Sequence, residues 1–171
     1  MHHKKTFAQG IGGATATRVA ELGAQVAICA RRADVMELKA AELRKLGADV
    51  LTVVADAAKA GDMERFIEET VRRFGRLDVV VNNAGGTGQA AFDKVDDAAF
   101  THDFEIKVMA QIRTSRAALP HMKKQGGGRI INLNMVAAKQ PGASQFPPTV
   151  SRAAGLALTK GLSKELAAAN I

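Results

Sequence analysis

The sequence predicts an α/β fold, a doubly wound parallel sheet with helices on both faces in a three-layer α/β/α arrangement. Short β-branched or apolar runs alternate with longer stretches of helical periodicity, which is the pattern of a buried parallel sheet. Glycines follow the ends of the predicted helices, where a left-handed residue closes the last turn. Its 171 residues fit one domain, and we assign residues 1–171 to a single unit.

The predicted elements alternate from the first glycine-rich turn onward. The strand candidates are Gln25–Ala30, Val50–Ala55, Leu77–Asn82 and Arg129–Asn134. The helix candidates are Gly12–Leu22, Ala33–Leu46, Gly61–Phe74, Asp103–Lys124 and Thr149–Ala168. The Gly- and Pro-containing stretch Gln140–Pro148 predicts a loop before the last helix.

The start of the chain departs from this alternation. A glycine-rich turn that opens a helix should follow a buried strand, but here it follows Met1-His2-His3-Lys4-Lys5. These residues are too polar for the centre of a sheet. Residues 1–5 are therefore interpreted as a tag remnant or a degraded first strand, and the fold as truncated at this end.

Composition restricts the class of protein. The formal charge is +7, but the basic residues are scattered among acids and no zinc or aromatic RNA-binding signature accompanies them. We therefore expect an anionic small-molecule partner and neither nucleic acid nor membrane, since no apolar run approaches the roughly 20 residues of a bilayer span. The single Cys29 and the lack of a secretory segment indicate a cytoplasmic protein without disulfides, and no metal site is predicted.

Three short motifs follow predicted strands or open a helix. Gly10-Ile11-Gly12 begins the first helix, where backbone N–H groups can receive phosphate oxygens, although such a turn also occurs without any ligand. Asp56 and Asn82-Asn83-Ala84-Gly85 each follow a strand, at the edge where open α/β sheets bind ligands. A plain turn is the alternative role of the two asparagines.

In order and spacing these motifs resemble the landmarks of the short-chain dehydrogenase/reductase family. The segments that carry the resemblance are Gln9-Gly10-Ile11-Gly12, Ala55-Asp56, Asn82-Asn83-Ala84-Gly85 and Gly128-Arg129-Ile130-Ile131-Asn132. The resemblance implies a Rossmann-type sheet that binds a nicotinamide dinucleotide. The candidate cofactor-binding residues are Gln9, Gly10, Ile11, Gly12, Arg31, Arg32, Asp56, Ala57, Asn83, Ala84 and Gly85.

The residues after the strand Gln25–Ala30, which corresponds to the family's second strand, bear on which dinucleotide is bound. An acidic residue there would accept hydrogen bonds from the ribose 2′-OH of NAD, but this chain has Arg31-Arg32. Two guanidiniums suit the 2′-phosphate of NADP, so NADP is expected and NAD is the less favoured cofactor. The alternative is that the arginines merely cap the sheet edge in solvent.

The resemblance also implies a catalytic tetrad of Asn, Ser, Tyr and Lys, and all four positions differ here. They fall on Lys107, Met135, Pro148 and Arg152, and the chain contains no tyrosine. Pro148 and Met135 cannot donate a proton, whereas Arg152 could still hold ribose hydroxyls. Lys107 is either a general acid whose pKa burial lowers or, more commonly for such a lysine, a residue that extends its ammonium to solvent.

Other candidates for acid–base chemistry are weaker. Ser144, Thr149 and Ser151 lie near the vacated tyrosine position, but each is expected to be a loop or helix-capping residue. His102 and His121 are expected at a helix start and a helix end, remote from the pocket.

Two functions remain open from the sequence. The first is an atypical oxidoreductase that binds NADP(H) and, if active, transfers a hydride to or from a small carbonyl or alcohol. The second is a catalytically silent module for dinucleotide binding or oligomerisation.

The resemblance also implies a homodimer or homotetramer. In the last helix, a stripe of small residues lies beside a stripe of leucines; the two stripes are Ala153, Ala157 and Gly161, and Leu158, Leu162 and Leu166. The alternative is that both stripes are core. Family members continue beyond this helix, so the fold is also expected to be truncated after Ile171.

Overall fold

The computed structural model describes residues 10–86 and 88–171, and its elements alternate between helix and parallel strand as predicted. The strands are β1 (Val26–Ala30), β2 (Val50–Val54), β3 (Val79–Asn82) and β4 (Arg129–Asn132). The helices are α1 (Ile11–Glu21), α2 (Ala33–Lys45), α3 (Asp62–Phe74), α4 (Asp97–Phe104), α5 (Ala110–Lys124) and α6 (Pro148–Glu165). The expectations for residues 1–5 and for Gln9 fall outside the described residues.

The strands form two parallel pairs. β1 pairs with β2 in the register Val26 to Val50 through Ala30 to Val54. β3 pairs with β4 in the register Val79 to Arg129 through Asn82 to Asn132. Within each pair the carboxyl ends of both strands therefore meet at one edge, and the loops that carry the predicted motifs leave from that edge.

Helices pack on the strands through apolar faces, which explains why these segments fold as they do. One cluster joins α1 and α2 to β1 and β2, and it consists of Ala16, Ala20, Val26, Ile28, Met36, Ala40, Leu43 and Val50. A second cluster joins α3 and α5 to β3, and it consists of Ile67, Leu77, Val80, Ala118 and Met122. The left-handed Gly75, with a φ of 76°, ends α3 as its position in the sequence predicts.

The helix predicted at Asp103–Lys124 starts earlier than expected. α4 begins at Asp97, because the side chain of Asp96 caps it by accepting a hydrogen bond from the Ala99 amide at 2.8 Å. A single π-helical turn, Glu105–Met109, then joins α4 to α5. Such turns place an extra residue in the helix and shift the side chains that follow, and they are frequent at functional sites.

Candidate functional site

The glycine-rich turn lies against the loop after β3. Gly10 caps α1 through its backbone alone, and a β-carbon built on Gly12 would lie 2.5 Å from Nδ2 of Asn83. Only a glycine permits so close an approach. The start of α1, with its free N–H groups, is thereby held beside the residues that follow β3.

Asp56 shapes the loop after β2. Its Oδ1 accepts a hydrogen bond from the Ala58 amide at 3.1 Å, and its own amide donates to Oδ2 of Asp62 at 2.7 Å. That amide donor is the main reason why the pKa of Asp62 lies below its usual value. Ala57 is partly buried against the core beside β2. Asp56 thus fixes the turn that follows β2 at the carboxyl edge of the strand pair.

Arg31 and Arg32 follow β1 and are both exposed. Within residues 10–86 and 88–171, neither guanidinium forms an ion pair with a carboxylate. The backbone amide of Ala55 donates to the carbonyl of Ala30, so the ends of β1 and β2 are joined and the arginines leave from the same edge as Asp56. Their charges remain available to an anion.

The two asparagines after Val81 have different partners. Asn82 ends β3, and its Nδ2 donates to Oδ1 of Asn132 at 2.8 Å, whose own Nδ2 donates to Oγ1 of Thr159 at 2.8 Å. This chain of amides ties β3 to β4 and α6. Asn83 instead faces Gly12, and Ala84 beside it is partly buried. Asn82 is therefore a structural link, and Asn83 belongs to the glycine-rich turn.

Lys107 lies in the π turn and is nearly enclosed, with 3% of its surface exposed. Its Nζ donates to Oδ1 of Asp103 at 2.6 Å, and Oδ2 of Asp103 accepts from Oγ of Ser151 at 2.5 Å. Asp103 and Ser151 are both fully buried. Burial lowers the pKa of Lys107, although the Asp103 carboxylate opposes that shift. The expectation that Lys107 extends its ammonium to solvent is wrong.

Arg152 adds a second cation beside Lys107. Its Nη1 donates to the carbonyl of Leu133 at 2.7 Å, and its own carbonyl accepts from Nδ2 of Asn134 at 3.0 Å. A β-carbon on Gly85 would lie 2.5 Å from Nη2 of Arg152 and 3.6 Å from Cε of Lys107. Desolvation lowers the pKa of Arg152, which remains a cation at neutral pH. The structure thus brings Lys107, Arg152 and Gly85 together.

Met135 and Pro148 contribute no proton donor. Pro148 is buried at the first position of α6, where its missing N–H is not needed, and its carbonyl accepts from Oγ of Ser151 at 3.2 Å. Met135 is partly buried and lines an open cavity of about 300 Å³. The other residues of that cavity are Asn134, Val136, Lys139, Gln140 and Leu156.

The roles of two residues of this cluster were not recognised from the sequence. Ser151 does not cap a helix as predicted, because α6 begins three residues earlier and leaves Ser151 inside it, bonded to Asp103. Asp103 was predicted only as the start of a helix. Its spacing of four residues from Lys107 is that of an ion pair along a helix, and this spacing could have identified Asp103 as the partner of Lys107. Thr149 is not a cap either, because it is the second residue of α6 and its hydroxyl donates to the Gln145 carbonyl at 3.2 Å.

The histidines lie away from this cluster. His102 is exposed within α4 and not at the helix start that was predicted for it, because α4 begins at Asp97. Nε2 of His121 on α5 lies 3.0 Å from Oε1 of Glu68 on α3. In the described part of the chain, no group of three or more His, Cys, Asp or Glu residues could hold a metal ion. Nor do the described helices include one with the length and apolar character to span a membrane.

Residues 6–171 match the family model described as short chain dehydrogenase. Among curated proteins, the human dehydrogenase/reductase SDR family member 4 is 34% identical over 163 residues, which are 95% of this chain and 59% of that protein. Its bovine counterpart is 33% identical over 163 residues, again 95% of this chain and 58% of that protein. This chain therefore spans about three-fifths of the length of these relatives.

Solved structures of dehydrogenases and reductases resemble this chain in fold. L-Sorbose reductase from Gluconobacter frateurii, complexed with NADPH and L-sorbose, superposes with a TM-score of 0.91 at 33% identity over 95% of this chain and 62% of that one. A 7α-hydroxysteroid dehydrogenase complexed with NADH and 7-oxo glycochenodeoxycholic acid superposes with a TM-score of 0.90 at 28% identity, over 95% of this chain and 63% of that one. The doubly wound α/β fold predicted from the sequence is confirmed.

Proposed function

Because the chain belongs to the short-chain dehydrogenase family, a family of nicotinamide-dinucleotide oxidoreductases, we propose that it binds NADP(H) at the carboxyl edge of its strands. The observation that carries the proposal is the contact between Gly12 and Asn83. A β-carbon on Gly12 would collide with Asn83, so the glycine allows the start of α1, whose N–H groups would bind a pyrophosphate, to lie against the loop after β3. The bound nicotinamide would supply or accept a hydride.

The preference for NADP rests on Arg31 and Arg32. Both lie exposed at the end of β1, and neither is neutralised by a carboxylate in the described part of the chain. A 2′-phosphate would gain charge-assisted hydrogen bonds there that a 2′-OH cannot offer as strongly. One relative's structure contains NADPH and another contains NADH, so the choice for this chain needs its own measurement.

Titration with the two reduced cofactors, followed by nicotinamide fluorescence, tests this proposal. We expect NADPH to bind more tightly than NADH. Tighter binding of NADH would overturn the preference, and binding of neither would overturn the function itself.

For catalysis, we propose an oxidoreductase that acts on a small carbonyl or alcohol through Lys107 and Arg152. These two residues occupy the positions of the family's Asn and Lys in the resemblance described above, and the structure has them converge beside Gly85. A screen of ketones and aldehydes with NADPH tests this activity. Loss of turnover in both Lys107→Ala and Arg152→Ala, with cofactor binding retained, is the expected result.

The second candidate function is a catalytically silent dinucleotide-binding or oligomerisation module. It is favoured by Met135 and Pro148, which offer no proton where the family has Ser and Tyr. Binding of NADPH without turnover of any carbonyl in the screen would support it.

We also propose a cytoplasmic homodimer or homotetramer. An exposed stripe on α6 consists of Ala153, Ala157 and Gly161, whereas Leu158 and Leu162 of the same helix are partly buried. Small residues on an exposed helix face permit close approach of a second helix. Sedimentation equilibrium of the wild-type protein and of Ala157→Glu tests this, and a monomeric wild type would contradict it.

A further inference from the structure

The polar cluster at Gly85 carries more positive than negative charge. Its ionised members are Lys107, Arg152 and Asp103, two cations and one carboxylate. The pKa of each cation is affected by Asp103, so that carboxylate is the one they share. One positive charge is left in excess at a partly desolvated position, where an unbalanced charge is costly.

The contacts show which of the two cations forms an ion pair with Asp103. One oxygen of Asp103 accepts from Lys107 at 2.6 Å and the other accepts from Ser151 at 2.5 Å. Arg152 forms no ion pair within the described residues, and its protein hydrogen bond runs from Nη1 to the neutral carbonyl of Leu133. The excess charge is therefore located on Arg152.

The guanidinium of Arg152 is directed at an accessible position. Its Nη2 lies 2.5 Å from the site of a β-carbon on Gly85, and Gly85 itself is exposed. Arg152 is half-buried, and its guanidinium makes one hydrogen bond to the protein in the described part of the chain. A small molecule beside Gly85 would therefore lie next to a half-buried cation with unused donors.

At the family's Ser and Tyr positions, Met135 and Pro148 present no side-chain O–H or N–H to a ligand. The cation without a carboxylate partner is the guanidinium of Arg152, whose paired N–H groups match the two oxygens of a carboxylate. A neutral ketone can use only one of these bonds and leaves the charge unbalanced.

We infer that Arg152 binds a carboxylate group of the substrate, so that this protein acts on small oxo or hydroxy acids in preference to neutral ketones and alcohols. Asp103 accepts from Lys107 with one oxygen and from Ser151 with the other, which leaves Arg152 to the ligand. The inference rests on the proposed function in one respect, because the carboxylate is expected to lie beside a bound nicotinamide dinucleotide.

Calorimetric titration of the NADPH-saturated protein tests the inference. The probes are oxamate, a carboxylate that hydride does not reduce, and its neutral methyl ester. We expect oxamate to bind roughly 10- to 100-fold more tightly than the ester, the range of a charge-assisted hydrogen bond. Equal affinities, or binding of neither probe, would overturn the inference, and this comparison uses the wild-type protein alone.

Variants then assign the effect to Arg152. Arg152→Gln should abolish the preference for oxamate, whereas Arg152→Lys should retain part of it. The control Arg72→Gln removes an exposed arginine on α3 and should leave the preference unchanged. An Arg152→Gln protein that still prefers oxamate would overturn the assignment.

The same samples separate this inference from the proposed function. NADPH is titrated first, and failure of the wild-type protein to bind it contradicts the proposed function. Binding of NADPH without a preference for oxamate contradicts the carboxylate site alone. If Arg152→Gln weakens NADPH binding but not oxamate binding, the excess charge serves the cofactor and the inference is wrong.

Discussion

Gly12 and Asn83 approach each other so closely that a β-carbon on Gly12 would lie 2.5 Å from Nδ2 of the asparagine and 3.0 Å from its Cγ. Gly12 lies in the first turn of α1, and Asn83 follows β3 directly. The two residues are 71 positions apart in the sequence, yet their contact fixes where the helix starts relative to the sheet edge. The candidate cofactor site depends on this contact.

Gly12→Ala is expected to destabilise the protein by about 1–3 kcal/mol and to weaken NADPH binding, because the new methyl group displaces Asn83 or the start of α1. Urea unfolding measures the first effect and fluorescence titration the second. Gly88→Ala is the control, since Gly88 has an ordinary backbone conformation and no atom lies within 4 Å of the new methyl group. The stability of the control should equal that of the wild type to within about 0.5 kcal/mol. A Gly12→Ala protein as stable as wild type would show that the contact is loose.

Replacement of Arg31 and Arg32 together by glutamine is expected to weaken NADPH binding by roughly 10- to 100-fold and to leave NADH binding nearly unchanged. Only the 2′-phosphate distinguishes the two cofactors. The matched control replaces Arg72 and Arg116, which are also exposed, so that net charge falls equally. Equal losses for both cofactors, or equal losses in both double variants, would mean that the arginines act only through overall charge.

Much of the fold could be predicted because local signals agree with tertiary packing. The strands were located to within two residues because their Val- and Ile-rich runs are bounded by helices and glycines. The start of α4 was missed because Asp96 was not recognised as a cap before a stretch of weak helical periodicity. The π turn was missed as well, since a single inserted residue leaves no clear periodic signal.

The candidate site was predictable only in part. Short motifs beside strand ends located Gly12, Asp56 and Asn83, because parallel topology brings those ends to one edge. The burial of Asp103 could not be read from its own segment, where a polar residue is expected to face solvent. Its partner Ser151 lies 48 residues further along the chain, so the contact depends on how α6 packs against the π turn.

Cys29 is expected to react very slowly with thiol reagents in the folded protein. Burial, with a smaller contribution from the charge of Asp62, raises the pKa of this thiol to about 12 from a reference value of 9.0. At pH 8 the thiolate fraction is thus roughly a thousandfold lower than in the unfolded chain. Iodoacetamide labelling with and without urea, followed by mass spectrometry, checks this. Labelling at similar rates in both states would show that the thiol is accessible.

Asp103→Asn is expected to destabilise the protein by about 3–5 kcal/mol at pH 7, because it leaves the buried Lys107 ammonium without its carboxylate. Lys107→Met added to Asp103→Asn should recover most of that loss, since the uncompensated charge is then gone and the introduced amide oxygen can still accept from Ser151. Urea unfolding of the wild type, the two single variants Asp103→Asn and Lys107→Met, and the double variant gives the coupling free energy between the two residues. If the double variant is no more stable than Asp103→Asn, the loss of stability does not come from an uncompensated charge on Lys107.

The pH dependence of stability tests the same pair independently. The folded chain lowers the pKa of Lys107 below 10.5, so the unfolded chain binds this proton more tightly. The free energy of unfolding should therefore rise as pH increases from the folded pKa towards 10.5, and at lower pH the contribution of Lys107 should be constant. Asp103→Asn removes the group that opposes this shift, so its rise should begin at a lower pH than in the wild type. Lys107→Met should abolish the rise in both backgrounds, and subtraction of its profile isolates the lysine from the other groups that titrate in this range.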